Sequence, residues 1–461
     1  MNLHILMLNL SGLQLSQSNV KAKLGSKYPI FMKGLTVKIL VALKDKQVNK
    51  TVKLYKEIDD NLIIPRTLLN AVTSVFNVQI DFPEYEKIPY AVPILFENQE
   101  TIVNYLMTTV YSDINSGNGI CILNLRAGMG KTYVAAGIIS KLQMKCLYIV
   151  PRRILMQQCV DDFNECGIQA SAFPEINNVT VIVVNSALIQ PDQFFNQFQF
   201  TVFDEVHNYC TATRKDILFK SSYAALGMSA TTNERVDNAD IIATKHLGKV
   251  IYAETIPNFT YDSVNFVCSV DILYYQADAM YTQIKTHPST GMMFMPYMIE
   301  QLMSDPVRMR LIIDQVKELY TWRGLNQQTH GIYVFCETRE PLSLIYRELI
   351  KELSNTDSTT PINIEAPELG ILIGGVKNTE VDRIKNESRI LLTTFAYSST
   401  GISIEKMTAI VFATPRKAQM KQIVARILRR GSDTTIPRRI IDIVDKCHRN
   451  QLEHRVQAYN H

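Results

Sequence analysis

Five consecutive residues have the types and spacing of a phosphate-binding loop. They are Gly128, Met129, Gly130, Lys131 and Thr132. An apolar run at 120–125 precedes them, and a helix pattern rich in small residues follows at 133–139. In the order strand, glycine loop and helix, backbone N–H groups and the helix N-terminus surround phosphate oxygens. Lys131 would then reach the β- and γ-phosphates of a nucleotide, and the Thr132 hydroxyl would take one Mg²⁺ position.

A pair of adjacent carboxylates, Asp204 and Glu205, begins seventy-three residues after that lysine and directly follows an apolar run at 200–203. In an open parallel sheet, ligands bind at the carboxyl ends of the strands. Asp204 would hold the same Mg²⁺ ion as Thr132, and Glu205 would orient and deprotonate an attacking water. The alternative for this pair is a charged strand end without a ligand, and the upstream loop argues against it.

The elements that must position these residues alternate between strand and helix patterns. From about 94 to 245, apolar runs such as 147–150 and 179–184 are separated by helical patterns, and a second block begins near 306. Such strands have both faces covered by helices, so the pattern predicts an α/β fold with two parallel sheets in tandem. Alternation of apolar and polar residues over the first eighty-odd positions predicts a small module that contains β-strands.

The predicted organisation has four parts. They are a basic N-terminal module at 1–88, a nucleotide-binding domain at 89–248, a connecting segment at 249–305 and a second α/β domain at 306–461. No apolar run reaches the roughly eighteen residues of a membrane span, so no membrane partner is expected. The eight cysteines are scattered without a C-x-x-C pair. Reduced core thiols are therefore expected, rather than a metal site or a disulfide framework.

The positive charge is concentrated near the N-terminus. Residues 21–56 contain ten lysines and a single acid, Asp45, which gives a local balance of +9 in a chain whose net charge is +4. A basic module of this kind suits a polyanionic partner. A solvated lysine face is the alternative, and no regular interleaving of aromatic residues with the lysines decides between the two.

The order of these segments resembles that of superfamily 2 helicases and translocases, which have two RecA-like domains. The resemblance covers about residues 90–445. It implies that Gln99 contacts adenine, that Arg152 or Arg153 touches a nucleic-acid phosphate, and that Ser186 contacts the backbone of the strand. It further implies that hydrolysis is coupled to strand movement by His207, Ser229 and Thr231.

The second block resembles the second RecA-like domain of the same family. Arg339 follows its first strand, and a segment at 394–404 resembles the loop that grips nucleic acid and nucleotide, with Thr394 and Gly401 as its implied contacts. The segment at 422–429 resembles the final motif. The implied functional residues there are Gln422, Arg426 and Arg429, of which the two arginines would approach the γ-phosphate as arginine fingers. A basic helix with a solvated face is the alternative for these arginines.

A narrower resemblance is to helicases of large nucleocytoplasmic DNA viruses, of the asfarvirus and poxvirus transcript-release types. It rests on short segments at 374–376, 399–403, 413–416 and 430–433. It implies an ATP- and Mg²⁺-dependent 3′ to 5′ DNA helicase that acts with the viral transcription machinery, in the infected-cell cytoplasm and in virions. RNA stays open as the substrate. Departures from the pattern are Leu125, where relatives have Gly or Ala, Ser403 for Asp and Ala425 for Gly.

Three functions remain open from the sequence. A helicase is the first, a duplex translocase that never separates strands is the second, and an ATP-gated binding module without effective hydrolysis is the third. The motifs are common to the first two. A module that no longer hydrolyses ATP need not keep all of the phosphate-handling residues, which argues against the third.

Overall fold

The computed structural model describes most of the chain. The described residues are 13–43, 46–76, 85–114, 119–222, 224–230, 239–261, 266–284, 286, 294–354, 368–376, 378–398, 404–416, 420–428 and 432–459. The chain forms two compact units, residues 1–262 and 263–461. The finer predicted boundaries at 88, 248 and 305 stay predictions. No described helix is both long enough and apolar enough to cross a membrane.

The first unit begins with a small mixed module. Its strands and helices are β1 (Leu13–Ser16), α1 (Gln17–Leu24), α2 (Tyr28–Gly34), β2 (Thr36–Leu43), β3 (Lys46–Lys53), β4 (Lys56–Ile58), β5 (Asn61–Ile64) and α3 (Leu69–Phe76). β1, β5 and β4 form an antiparallel sheet, and β2 and β3 form a hairpin. The module has a small core of its own, which includes Val20, Leu62 and Ile64.

The hairpin of this module also packs on the rest of the first unit. Val37, Ile39, Val52 and Leu54 belong to the same buried cluster as aromatic and aliphatic residues of the larger sheet. Side chains alternate along a strand, so the opposite face of the hairpin points away from that cluster. The predicted N-terminal module therefore contains strands, as expected, and is anchored on the larger sheet by one apolar face.

A seven-stranded sheet forms the centre of the first unit. Its elements are α4 (Glu97–Thr109), β6 (Ile120–Asn124), α5 (Lys131–Leu142), β7 (Cys146–Val150), α6 (Ile154–Glu165), β8 (Ala170–Ala172), β9 (Val179–Val183), α7 (Val184–Leu188), α8 (Asp192–Phe195), β10 (Phe200–Phe203), β11 (Ala224–Ser229), α9 (Asp240–Leu247) and β12 (Val250–Tyr252). The strands are all parallel, in the order β12-β6-β11-β10-β7-β9-β8. Buried apolar clusters cover both faces, which explains why these strands lack polar alternation.

The second unit contains a six-stranded parallel sheet. Its elements are β13 (Cys268–Tyr275), α10 (Met295–Met303), α11 (Pro306–Thr321), β14 (Gly331–Cys336), α12 (Arg339–Ser354), β15 (Leu369–Leu372), α13 (Asn378–Glu387), β16 (Ile390–Thr394), α14 (Phe395–Ser398), β17 (Met407–Phe412), α15 (Met420–Val424), β18 (Arg438–Asp445) and α16 (Leu452–Tyr459). The strand order is β13-β18-β17-β14-β16-β15. Two parallel sheets with helices, preceded by a small β-containing module, confirm the predicted α/β class. The predicted connecting segment supplies β12 to the first sheet and β13 to the second.

Candidate active site

The predicted phosphate loop lies between the end of β6 and the start of α5. Gly128 and Gly130 have φ angles of 85° and 74°, in the left-handed region that only glycine adopts without strain. A Cβ atom on Gly130 would lie 2.3 Å from the side-chain nitrogen of Gln99. Leu125, which departs from the family pattern, is fully buried in the core beneath the loop. The loop geometry therefore requires its glycines and accommodates the leucine.

Gln99 braces this loop. It is buried on α4, its Nε2 donates a hydrogen bond to the carbonyl oxygen of Met129 at 3.2 Å, and its Oε1 accepts one from the backbone N–H of Phe96 at 3.1 Å. The side chain thus ties the start of α4 to the phosphate loop. The adenine contact implied for Gln99 stays a prediction, and the bond to Met129 gives the residue a structural role that the sequence did not indicate.

The two carboxylates lie where β10 ends, beside the loop. The backbone N–H of Asp204 donates to the carbonyl of Ile149 at 2.9 Å, which continues the pairing of β10 with β7. Glu205 has φ 49° and ψ 54°, so the chain turns sharply after the strand. Lys131 Nζ forms an ion pair with Glu205 Oε1, and the two side chains are only 13% and 22% exposed. The structure therefore brings together a lysine and a glutamate that are seventy-four positions apart in the sequence.

His207 connects this corner to the end of β11. Its Nδ1 lies 2.9 Å from Ser229 Oγ and 3.5 Å from Glu205 Oε2. Its Nε2 is 3.1 Å from the side-chain nitrogen of Asn208, which also donates to the carbonyl of Glu205 at 3.2 Å. With the amide nitrogen of Asn208 as donor, Nε2 of His207 accepts, and this contact suits the tautomer that is protonated on Nδ1. Asn208 was not identified from the sequence, and only its position next to His207 could have indicated it.

The electrostatics of the corner suit a divalent cation. Burial raises the pKa of Asp204, the neighbouring Glu205 carboxylate adds to that rise, and Lys131 opposes it. A cation would offset both the burial and the repulsion that disfavour the charged carboxylate. The carboxylate of Asp204 and the hydroxyl of Thr132 are the hard oxygen ligands that Mg²⁺ prefers, and its other positions are usually taken by water and substrate phosphates. The residues present therefore fit Mg²⁺. In the described part of the chain, no group of three or more His, Cys, Asp or Glu residues could hold a metal on its own.

The residues expected to contact nucleic acid in the first unit lie along the same edge of the sheet. Arg152 and Arg153 follow β7 and are exposed, and Ser186 lies in α7 directly after β9. The strand order therefore places the phosphate loop, Ser229 and the carboxylates in sequence along the edge, with the exposed arginines and Ser186 beyond them. Thr231 lies outside the described residues.

The candidate residues of the second unit lie at several places around its sheet. Arg339 begins α12 and donates to the carbonyl of Gly374 at 2.9 Å, and Thr394 Oγ1 accepts from the backbone N–H of Tyr397 at 3.2 Å. Gln422 and Arg426 are buried. Because α15 ends at Val424, Arg426 lies beyond that helix, and the alternative of a solvated helical face is wrong for it. Gly401 and Arg429 lie outside the described residues.

Comparison with known proteins agrees with this site. Residues 94–234 match the family model of the type III restriction enzyme res subunit. A protein of African swine fever virus, named an ATP-dependent RNA helicase, is 30% identical over 373 residues, which cover 76% of this chain and 69% of the relative. A protein of Sulfurisphaera tokodaii, named a DNA 3′-5′ translocase, is 28% identical over 169 residues, or 35% of this chain and 38% of that protein.

A solved structure supports the fold. The ATP-dependent type ISP restriction-modification enzyme LlaBIII, solved bound to DNA, matches with a TM-score of 0.51 at 14% identity, over 84% of this chain and 30% of that chain. Given the viral relative's identity over most of both chains, together with the phosphate loop and the carboxylate pair, the chain belongs to the superfamily 2 ATP-dependent helicases of large DNA viruses.

Proposed function

We propose that the carboxyl edge of the first sheet hydrolyses ATP with Mg²⁺ and that the chain uses this reaction to move along a nucleic-acid strand. The observation that carries the proposal is the ion pair between Lys131 and Glu205, with Glu205 connected through His207 to Ser229. A phosphate-binding lysine, a candidate base and a residue of the next strand end are therefore in one contact network, beside the partly exposed Asp204.

In this mechanism Lys131 exchanges partners. When the terminal phosphates of ATP enter the loop, the lysine leaves Glu205 and binds phosphate oxygens instead. Glu205 is then released to orient the attacking water and accept its proton. Thr132 and Asp204 would hold Mg²⁺, and the ion would supply positive charge to neutralise the transferring phosphoryl group. Arg426 and Arg429 would add to this neutralisation, and Gln422 would act with them.

Coupling to the strand follows the same edge of the sheet. A change at Glu205 alters its contact with His207, and His207 bonds Ser229, two residues before Thr231. Arg152, Arg153 and Ser186 would hold strand phosphates beyond the carboxylates, and Arg339, Thr394 and Gly401 would do so in the second unit. Contacts of this kind supply affinity without sequence recognition.

The finer proposal is a 3′ to 5′ DNA helicase that works with the viral transcription machinery in the host cytoplasm and in virions. The name of the archaeal relative supports movement on DNA, whereas the name of the viral relative points to RNA. The same archaeal name, a translocase, favours the second candidate function, which is movement on duplex DNA without strand separation.

The test is Mg²⁺-dependent ATP hydrolysis without nucleic acid and with single-stranded DNA, duplex DNA or RNA. Lys131→Ala removes the phosphate-binding ammonium, and Lys446→Ala, which removes an exposed lysine just after β18 in the second unit, is the matched control. We expect stimulation by single-stranded DNA, a roughly 10²- to 10³-fold loss in Lys131→Ala and little change in Lys446→Ala. Stimulation by duplex alone would favour the translocase, and stimulation by RNA alone would change the substrate. Hydrolysis that ignores every nucleic acid would contradict the proposal.

A further inference from the structure

The N-terminal module carries an exposed set of lysines that the mechanism above does not use. We call it the lysine surface; its described members are Lys21, Lys23, Lys27, Lys33, Lys38, Lys50 and Lys53, all of them exposed. They come from α1, the turn after it, α2 and the β2–β3 hairpin. Within the described residues, Lys23, Lys27, Lys33, Lys38 and Lys50 form no ion pair. Asp45, the single acid in 21–56, lies outside the described residues.

The hairpin places Lys38 and Lys53 on the face away from its apolar residues, whereas Lys50 lies opposite Ile39 on the apolar face. Thr36 lies opposite Lys53, and Lys38 lies opposite Thr51, so these four side chains share one face of the ladder. The other face carries Val37 and Val52, which are buried against the larger sheet. Lys38 and Lys53 are therefore diagonal neighbours of like charge on the outer face, and Glu57, 3.8 Å from Lys53, offsets part of that charge.

A chain of contacts joins this hairpin to α1. Lys53 Nζ is 3.8 Å from Glu57, whose Oε1 accepts a hydrogen bond from Gln17 at 2.6 Å. Gln17 also donates to the hydroxyl of Tyr28 at 3.1 Å, and Lys21 Nζ lies 5.5 Å from the centroid of the Tyr28 ring. The lysines at the two ends of this chain, on α1 and β3, therefore belong to one continuous surface.

Aromatic rings lie under two of these lysines, which the sequence pattern did not indicate. Besides Lys21 over Tyr28, Lys53 Nζ lies 5.1 Å from the centroid of Tyr55. Contacts of this kind hold an ammonium group in place without neutralising it. Proteins that bind single strands combine a positively charged groove with aromatic side chains on which bases stack. This observation favours a ligand over a merely solvated surface.

The module is fixed to the unit that contains the phosphate loop. Lys56 Nζ lies 3.6 Å from Asp216 and 5.1 Å from the centroid of Phe219, and Arg66 Nη1 donates to the carbonyl of Ser222 at 2.7 Å in a buried contact. Together with the buried hairpin face, these contacts hold the lysine surface on the larger sheet. A ligand bound to the surface is therefore held on the same body that would bind ATP.

We propose that the lysine surface binds the phosphates of a nucleic-acid strand, as a second contact apart from the carboxyl edge of the first sheet. The inference rests on the proposed function, and it names a further site for the same partner. Its basis is charge complementarity: a local balance of +9 stands in a chain whose net charge is only +4. Phosphates are the polyanionic partner that the strand-moving chain meets in its own reaction.

The test measures how salt weakens binding of the full chain to a labelled single strand of DNA and to one of RNA. One variant carries Lys23→Gln, Lys27→Gln and Lys33→Gln, which removes three charges without an ion pair in the described part of the molecule. The matched control carries Lys87→Gln, Lys141→Gln and Lys245→Gln, which removes three exposed lysines of the first unit outside the surface. Hydrolysis without nucleic acid is measured in both, and we expect it to be unchanged.

Each lysine that contacts a single strand contributes about 0.7 to the slope of log affinity against log salt, so three contribute about 2. Between 50 and 200 mM salt, the wild type should then lose roughly 20-fold more affinity than the surface variant. The control should keep the wild-type slope. An unchanged slope in the surface variant overturns the inference and leaves an acidic protein or solvent as the occupant.

The two proposals fail in distinguishable ways. If strands stimulate hydrolysis in the wild type but the surface variant keeps the full slope, the lysine surface is not a strand contact and the proposed function stands. If the slope falls as expected but no strand stimulates hydrolysis, the surface binds nucleic acid and the proposed function fails.

Discussion

The two parallel sheets have the same strand order, but residues of different chemistry follow their strands at the carboxyl edges. Leaving β12 aside, each sheet places its first strand in chain order beside its sixth, followed by its fifth, second, fourth and third. The first strand of the first sheet is followed by the glycine loop. The first strand of the second sheet is followed by 276–281, which contains no glycine. After the fifth strands stand Asp204 and Glu205 in one sheet and Ala413 and Thr414 in the other.

At the ends of β13 and β18 in the second sheet, side chains bond to one another and to the start of α11. Arg308 on α11 forms a buried bidentate pair with Asp445 at the end of β18, with distances of 2.7 and 2.8 Å. At the end of β13, Tyr275 donates to Asp305 at 2.7 Å, and Asp305 also accepts from the backbone N–H of Val307 and of Arg308. A helix start that would meet phosphate in the first sheet is thus replaced in the second by one that is bonded to the strands. Two sheets of the same topology therefore differ in chemistry, because the residues that follow their strands differ.

The largest effect is expected from Arg308→Met, on the stability of the second unit. Removal of one partner leaves Asp445 buried and uncompensated, which costs about 3–5 kcal/mol in the free energy of unfolding. Trp322, the only tryptophan of the chain, lies in the second unit. Its fluorescence during denaturant unfolding therefore reports on that unit. Arg310→Met, on the same helix but in an exposed pair with a side chain 53% exposed, should cost less than about 1 kcal/mol.

A double variant distinguishes the contribution of the ion pair to stability from that of the packing around it. Arg308→Met with Asp445→Leu replaces both charges by apolar side chains, and it should recover most of the lost stability. Equal stability of Arg308→Met and Arg310→Met would show that the second corner is not held by its buried pair.

Gly130→Ala is expected to have an intermediate effect, confined to the first sheet. A Cβ atom there meets the side-chain nitrogen of Gln99 at 2.3 Å, and φ is 74°, so both the loop and its brace must shift. Strain of this kind costs about 1–3 kcal/mol, which corresponds to a rise of roughly 5- to 150-fold in the Kd for ATP. The measurement is equilibrium binding of ATP by calorimetry.

Gly248→Ala is the matched control for that substitution. Gly248 also has a positive φ of 84°, but its Cβ would meet its nearest atom at an ordinary 3.6 Å, beside the amino end of β6. We expect the Kd for ATP to stay within about twofold of the wild type, since backbone strain at that end of the sheet leaves the loop unmoved. Equal weakening by both substitutions would mean that Gly130 acts through general stability and not through the loop.

The smallest expected effect is a difference between the two units in how far acid lowers their stability. Burial, aided by the charges of Arg439, Arg389 and Arg438, lowers the pKa of His330 in the second unit from 6.5 to about 4, and burial lowers that of His246 in the first unit to about 3. Because the folded pKa lies below the unfolded one, the stabilising contribution is complete above about pH 6.5 and is lost as the pH falls toward 4.

On acidification to pH 5.5, the second unit of His330→Gln should therefore lose about 1 kcal/mol less unfolding free energy than that of the wild type. His330 stacks on Trp322 at 4.3 Å, so the midpoint of the denaturant transition is measured rather than the fluorescence intensity. His246→Gln should leave this midpoint profile unchanged, because Trp322 reports on the other unit. A profile that responds to both substitutions would mean that the two units unfold as one.

The sequence predicted those features that depend on residues close together along the chain. The glycine loop and the carboxylates could be placed because each follows a continuous apolar strand, and parallel strands end at one edge. The pair Arg308–Asp445 joins residues 137 positions apart, and neither is marked by a local pattern. Likewise, the bond of Gln99 to the loop and the burial of Arg426 beyond α15 depend on tertiary packing. Alternation indicated strands in the N-terminal module, but not that a buried hairpin face anchors it or that tyrosines lie beneath its lysines.

The most direct test of hydrolysis at the carboxyl edge of the first sheet is the rate of ATP turnover by Glu205→Gln, with ATP binding measured on the same protein. Glutamine keeps the size of the side chain but cannot accept the proton of the attacking water. It also releases Lys131 from its ion pair. We expect a loss of about 10²- to 10⁴-fold in turnover, with ATP bound as tightly as by the wild type or more tightly. Turnover close to that of the wild type would show that the carboxyl edge of the first sheet does not carry out the hydrolysis as described.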